Sequence, residues 1–281
     1  MAAVGMSRGL SPIAVGRRTA HAVLLAIGLT VLLPSPVAQA NLDVAPTRLS
    51  IQDGERAATL MVINRGDAPR TFRVTVVDTE EHEDGGRELL REPRTGFPHA
   101  ASMIRYSPRQ ATLDPGERQV VRFQVRRPAD LREGEYRARV VVQTLPTARP
   151  SAEPGVAGQG VALDIEVLFA VTLPIAIVHG APDVEVGIGG ARATEDGGLE
   201  IEVNRRGARS SYGALLIYAG ERAAGRPVAR RHRAVVAVPL ERRRFHFQDL
   251  GLSPGDRIHV VYQALEEEGG GVKAARTLTV E

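Results

Sequence analysis

The side chains able to do chemistry are thinly spread along this chain. His82, His99, His179, His232, His246 and His259 follow residue 40, and no two of them stand at i,i+2 or i,i+4. None has a carboxylate nearby at a metal-ligand spacing, so the pattern builds no metal site. Gly187-x-Gly189-Gly190 has the wrong glycine spacing for a dinucleotide fingerprint, and no helical stretch follows it. Ser210-Ser211-Tyr212-Gly213 lacks the strand–elbow–helix setting of a hydrolase nucleophile. Glu80-Glu81 and Glu266-Glu267-Glu268 fall in polar stretches and read as solvated runs. Arg242-Arg243-Arg244 has Phe245 and Phe247 beside it, but aromatic residues make up only 4% of the chain, too few for a nucleic-acid binder. Cysteine is absent, which removes thiol chemistry, disulfides and Cys-based zinc sites. The chain is expected to be no enzyme and to bind no metal, cofactor or nucleic acid.

One stretch stands apart for the opposite reason. Val161–Val178, VALDIEVLFAVTLPIAIV, is almost wholly apolar, with Asp164 and Glu166 as its only charges. Its β-branched residues and Pro174 disfavour a helix, and two carboxylates in its first third disfavour a membrane span. It reads as a long strand. Val161, Leu163, Ile165 and Val167 share one face, opposite Ala162, Asp164, Glu166 and Leu168. An apolar row facing carboxylates suggests an edge strand that needs a cover, either this chain's own core or another chain.

The elements around it follow from composition and spacing. Arg8, Arg17 and Arg18 precede an apolar run, Ala20–Leu33, too short to span a membrane, and Ala38-Gln39-Ala40 is a small-x-small cleavage site. Residues 1–40 are therefore expected to be a cleaved export signal, with no stable membrane insertion of the mature chain. Arg17-Arg18 admits a twin-arginine reading beside the general one. The signal takes three of the 36 basic residues and no acid, leaving 33 bases against 33 acids. The positive charge of the whole chain thus belongs to the signal, and Lys273 is the only lysine.

After the signal, short β-type segments follow one another with turn residues between them. Leu42–Ile51, Ala58–Asn64, Arg70–Asp78, Ile104–Tyr106, Gln110–Leu113, Gln119–Val125 and Gly134–Thr144 precede the long strand, with a charged loop or irregular hairpin at Glu80–Gly96. Leu145–Gly160, with three prolines and three glycines, is expected to be flexible. A second series comprises Val184–Ile188, Leu199–Asn204, Ala214–Tyr218, Ala234–Leu240, Arg243–Phe247, Ile258–Ala264 and Val272–Val280. The pattern predicts an all-β chain of two β-sandwich domains, 41–179 and 180–281.

Three stretches resemble the periplasmic pilus-assembly chaperones, the PapD-like family. Val44-Ala45-Pro46-Thr47-Arg48-Leu49, with Thr59–Asn64 and Pro69–Val74, looks like that family's opening strands. YSPRQATLDPGERQVVRFQV and GEYRARVVVQTLP, within Arg105–Pro146, resemble its central motif and the strand that ends at a proline. Val161–Val178 resembles its long G1 strand, and Gly134-Glu135-Tyr136-Arg137 is closer to the divergent, non-prototype branch. The likeness spans the N-terminal domain; in the C-terminal one it rests on Arg205–Ser211 with Tyr212-Gly213.

The resemblance implies two immunoglobulin-like β-sandwich domains set at an angle. It implies a periplasmic chaperone that folds and caps pilus or fimbrial subunits by donor-strand complementation and delivers them to an outer-membrane usher. The donor strand would be Val161, Leu163, Ile165 and Val167, filling the groove of an incomplete subunit. Its exposed edge makes a self-capped dimer plausible before a subunit arrives. Arg48 would hold the subunit's terminal carboxylate. The family's partner lysine aligns near Thr172 and is missing, which leaves Arg48 alone, Arg48 with another arginine such as Arg73 or Arg122, or a different mode of docking. The alternative is an exported structural or adhesive β-sandwich protein, a fibre subunit or surface-binding module.

Overall fold

A computed structural model of the chain describes residues 42–146, 168–248 and 250–281. They lie in one compact unit, Ala40–Glu281. The first eleven strands are β1 (Leu42–Ala45), β2 (Leu49–Ile51), β3 (Ala57–Asn64), β4 (Arg70–Val77), β5 (Thr79–Glu81), β6 (Arg87–Leu89), β7 (Ile104–Ser107), β8 (Gln110–Leu113), β9 (Arg118–Val125), β10 (Gly134–Thr144) and β11 (Ala170–His179). Seven more follow: β12 (Val184–Ala193), β13 (Leu199–Gly207), β14 (Ser211–Ala219), β15 (Ala229–Val236), β16 (Arg242–Phe247), β17 (Arg257–Ala264) and β18 (Val272–Thr279). Among the described residues the helical structure is two short 3-10 turns, Ala101–Met103 and Glu266–Glu268.

A four-stranded sheet, β1-β3-β9-β7, faces a five-stranded one, β2-β11-β10-β4-β8. The period of two decides what lies between them. Val121 and Phe123 of β9 point inward with Phe72 and Val74 of β4, and Tyr136, Ala138, Val140 and Val142 of β10 join Leu173, Ile175 and Ile177 of β11. A second core gathers Leu199, Ile201 and Val203 of β13 with Leu215, Ile217, Ile258, Val260 and Tyr262. It lies between the sheets β12-β13-β16 and β15-β14-β17-β18.

Three departures from the sequence reading have local causes. Leu42–Ile51 is cut in two: Pro46 has no N–H to continue a ladder, so β1 pairs with β3 in one sheet while β2 pairs in parallel with β11 in the other. β12 runs past Ile188 to Ala193 through a bulge at Gly189-Gly190, and Arg276 Nη1 donates to the carbonyls of Ile188 and Gly189 at 2.9 Å each. β15 begins at Ala229, ahead of the expected Ala234. Its opening Arg-Arg-His-Arg disguises it, yet this strand is the edge of its sheet, where charged side chains guard against stray pairing. The long strand expected from Val161 is described as β11 from Ala170 onward.

Candidate functional site: the cleft between the sandwiches

The outward face of β10 and β11 forms one wall of the cleft. Where the odd residues of β11 enter the core, the odd residues of β10 point out of it. Register places Glu135 beside Val178, Arg137 beside Ala176, Arg139 beside Pro174 and Val141 beside Thr172. On the other side of β11, Leu49 pairs with Ile175, so Arg48 falls in step with Pro174. Arg48 and Arg139 thus flank Pro174 across three neighbouring strands, although 91 positions separate them in sequence.

Glu135 joins this wall to the second sandwich. Only 1% of it is exposed. Its Oε1 accepts from Ser210 Oγ at 2.6 Å and Tyr212 OH at 2.9 Å, and its Oε2 accepts from Ser210 N at 3.1 Å. Ser210 Oγ in turn accepts from Val238 N at 3.0 Å, and Glu135 N donates to Ala208 O at 2.8 Å. A buried carboxylate is tolerable only when its lone pairs are used, and these are. The Tyr212 hydroxyl is pushed up to about 12, first by burial and then by the neighbouring Glu135 carboxylate. Ser210-Ser211-Tyr212-Gly213, a failed nucleophile motif in sequence, is the strand end that receives Glu135.

Arg48 lies across the same tyrosine. Its guanidinium carbon stands 3.7 Å from the centre of the Tyr212 ring. Nη2 donates to Glu268 Oε1 at 2.8 Å, and Nη1 is 3.8 Å from Glu267 Oε1. Glu268 also accepts from Arg209 Nη2 at 2.7 Å through its other oxygen. The glutamate run read as solvated is therefore divided. The Glu267 side chain is 64% exposed, while that of Glu268 is 13% exposed and spans two arginines. Sequence reasoning missed this contact because 220 positions separate the partners.

A second ionic cluster lies further along the wall. Glu81, on β5, accepts from Arg87 Nε at 3.1 Å and Arg139 Nη2 at 3.3 Å, with Arg137 Nη2 at 3.8 Å. Burial pushes the Glu81 carboxyl up, but Arg137, Arg87 and Arg139 together outweigh it and hold the group below its usual range. Burial, and then Arg87, draws the Arg139 guanidinium down. A pocket of 220 Å³ opens between the sandwiches, lined by Arg48, Arg87, Arg137, Arg139, Arg233 and Arg243 against Glu81 and Glu267. Tyr212, Pro174, Val235, Ala237 and Leu265 complete its walls. Arginine provides the fixed, forked charge that suits a carboxylate.

The other residues singled out from sequence lie elsewhere. Arg73 sits on the exposed side of β4 with Nη2 3.4 Å from Gln110 Oε1, and Arg122 is exposed on β9 in the opposite sheet. Neither lines this pocket. Thr172 is exposed on β11. Val161, Leu163, Ile165 and Val167 lie outside the described residues. The strand that follows them has a notable edge. β10 pairs with all of β11 from Ala170 to His179, but β2 covers only Ile175–Ile177. Among the described strands, none pairs with Ala170–Pro174 on that side. Among the described residues, no cluster of three or more His, Cys, Asp or Glu could hold a metal, and no helix is long and apolar enough to cross a membrane.

No family model matches the chain, and no curated protein matches it. Solved structures do. The YadV chaperone is 11% identical, with 85% of this chain and 99% of that chain covered at a TM-score of 0.50. A chain of the CsuC–CsuE chaperone–tip adhesion subunit pre-assembly complex, from archaic chaperone-usher Csu pili of Acinetobacter baumannii, is 15% identical, with 86% and 100% covered and a TM-score of 0.49. A chain of the Salmonella enterica SafA pilin–SafB chaperone complex is 15% identical, with 86% and 98% covered and a TM-score of 0.45. The likeness to the YadV chaperone, across nearly all of that chain, establishes a shared fold.

Proposed function

From a PapD-like fold of two immunoglobulin-like sandwiches, we propose that this chain is a periplasmic chaperone of pilus or fimbrial subunits, from a divergent branch of that family. Its work is binding, with no reaction to catalyse. Residues 1–40 direct export and are cleaved after Ala40, leaving domains 41–179 and 180–281. The chaperone holds a subunit by donor-strand complementation and passes it to an outer-membrane usher.

The observation that carries the reading is the fold shared with the YadV chaperone over 85% of this chain and 99% of that one. The strand geometry supports it. Ala170–Pro174 of β11 has a partner on one side only among the described strands, and an unpaired edge is what β-augmentation uses. The apolar row Val161, Leu163, Ile165 and Val167 comes immediately before that edge in sequence and shares the parity of core-facing Leu173, Ile175 and Ile177. Main-chain bonds would supply affinity, and the alternate apolar side chains would fill the subunit's pockets.

Arg48 anchors the subunit's terminal carboxylate. In the free chain its Nη2 is held by Glu268 at 2.8 Å. An arriving carboxylate replaces one charge-assisted bond with another, so the anchor adds selectivity for a free chain end more than raw affinity.

The test is a pull-down of the tagged protein from its native periplasm, comparing the wild type with Leu163→Arg. The expected result is a small β-rich exported partner with the wild type and its loss with the variant, because a guanidinium cannot enter an apolar groove unpaired. Equal capture by the two would sink the donor-strand assignment. Recovery of the protein in surface fibres, with no such partner, would favour a structural or adhesive role.

A further inference from the structure

We propose that the free edge of β15, with the turn that leads into it, receives an extended acidic segment of another protein, which adds to the sheet as a fifth strand. This concerns the second sandwich and depends neither on the donor strand nor on Arg48.

The charge along this edge is one-sided. From residue 222 to residue 240 the chain carries five arginines and no acid. Arg222, Arg226, Arg230, Arg231, His232 and Arg233 are all exposed. Glu221, at the head of the turn, is taken by Arg257 Nη1 at 2.8 Å. A carboxylate across the ladder would answer an edge cation, but Arg230 stands opposite Leu216 and Arg231 opposite Leu215. The lack runs through the whole sheet: β15, β14, β17 and β18 together carry six Arg or Lys and no Asp or Glu. Arg231 is engaged within the fold, with Nη2 donating to His246 O at 2.7 Å and its guanidinium carbon 5.5 Å from the centre of the Phe247 ring. Among the described residues, Arg222, Arg226, Arg230 and Arg233 have no acid within ion-pair distance. Their summed field draws an anion to this rim.

The shape of the edge narrows the anion. The cations follow one continuous stretch of chain, and the same stretch offers main-chain groups. β15 is the last strand of its sheet, and among the described strands only β14 pairs with it. An extended peptide uses both features at once: its backbone bonds to the edge and its carboxylates meet the guanidinium forks. A membrane surface or a phosphate would use the charges and leave the edge N–H and C=O groups to water. Val228, 46% exposed where the turn enters the strand, adds an apolar contact. The arginines that guard this edge against stray strands thus guard it selectively, admitting an acidic one.

The experiment titrates the whole protein, at low ionic strength, with acetyl-Glu-Thr-Glu-Thr-Glu-Thr-amide, with its Gln-for-Glu counterpart and with the acidic peptide N-methylated at alternate backbone nitrogens. Vesicles of phosphatidylglycerol and phosphatidylcholine are a separate arm. Calorimetry gives affinity, and backbone amide signals in NMR give location. The acidic peptide is expected to bind, to shift the amides of Ala229–Arg233 and to weaken as salt is added. The Gln and N-methylated peptides should bind about tenfold more weakly or worse, and so should the acidic peptide to a variant carrying Arg226→Glu and Arg230→Glu. No binding of the acidic peptide, equal binding of either control, shifts away from β15, or an unchanged affinity in the variant would each overturn the proposal. Should the variant fail to fold, the three peptides and the shift map of the wild type still decide. Adsorption to the vesicles without peptide binding overturns it too and assigns the cations to an anionic membrane. Peptide binding at β15 that both controls lose supports it whether or not the vesicles also adsorb the protein.

Discussion

At the scale of single residues, Tyr212 connects the two parts of the cleft. Its hydroxyl donates to Glu135 and its ring carries the guanidinium of Arg48. Burial, then Glu135, holds its proton to about pH 12 against an ordinary 10.0. Tyr262, whose hydroxyl donates to Ala234 O at 2.7 Å, is raised to about 12 as well, chiefly by burial. The sign follows. Below pH 10 both tyrosines are protonated whether the chain is folded or not, and their contribution to stability is complete. Between pH 10 and 12 the unfolded chain releases protons that the folded chain keeps, so stability falls with rising pH. The slope is about 1.4 kcal/mol per pH unit for each tyrosine. Urea unfolding across this window should show that decline, and Tyr212→Phe should lose roughly half of it. An unchanged slope in the variant would mean that Tyr212 ionises as freely in the fold as outside it.

At the scale of elements, the hairpin of β5 and β6 extends from the first sandwich onto the second. Glu83 at its tip accepts from Arg244 N through its carbonyl at 2.7 Å, which caps the free edge of β16. Its carboxylate meets Arg242 Nε at 2.7 Å and lies 4.0 Å from Arg244 Nη2. Those two arginine side chains are 56% and 44% exposed, and ion pairs so open to water contribute little. Glu83→Ala is therefore expected to lower stability by less than about 1 kcal/mol in urea unfolding, because alanine keeps the backbone bond. A loss several times larger would show that the carboxylate, not the carbonyl, secures the hairpin. This element was legible only as a charged, irregular hairpin. Strands such as β9 and β13, with one face buried and the other wet, were legible from alternation alone. β15 was not, since an edge strand can fill its outer positions with arginine at little cost.

At the scale of the whole molecule, Glu135 is the joint between the two cores. It brings the start of β10 onto Ser210 and Tyr212 at the start of β14, with 1% of its surface exposed. Removing it strands a serine hydroxyl and a tyrosine hydroxyl in a buried contact and leaves Arg137 with one acid fewer. Glu135→Ala is expected to cost about 3 kcal/mol and to divide one thermal transition into two, as each sandwich melts on its own core. Calorimetry decides: a single transition at the wild-type temperature would mean that the joint rests on other contacts.

The alternation of the strands, the turns between them and the lack of any metal or nucleophile spacing are readable from the chain alone, because each of these is set by neighbours a few positions apart. The chain alone also singled out Arg48 and the apolar row from Val161 to Val167. What Arg48 meets is set by the folding of distant strands onto one another. Arg139 stands two strands away across Pro174, Tyr212 lies beneath the guanidinium, and Glu268 pairs with it across 220 positions. No local periodicity encodes such meetings. They follow from strand order and register, which the packing of both cores sets, and that order gathers scattered arginines around one pocket.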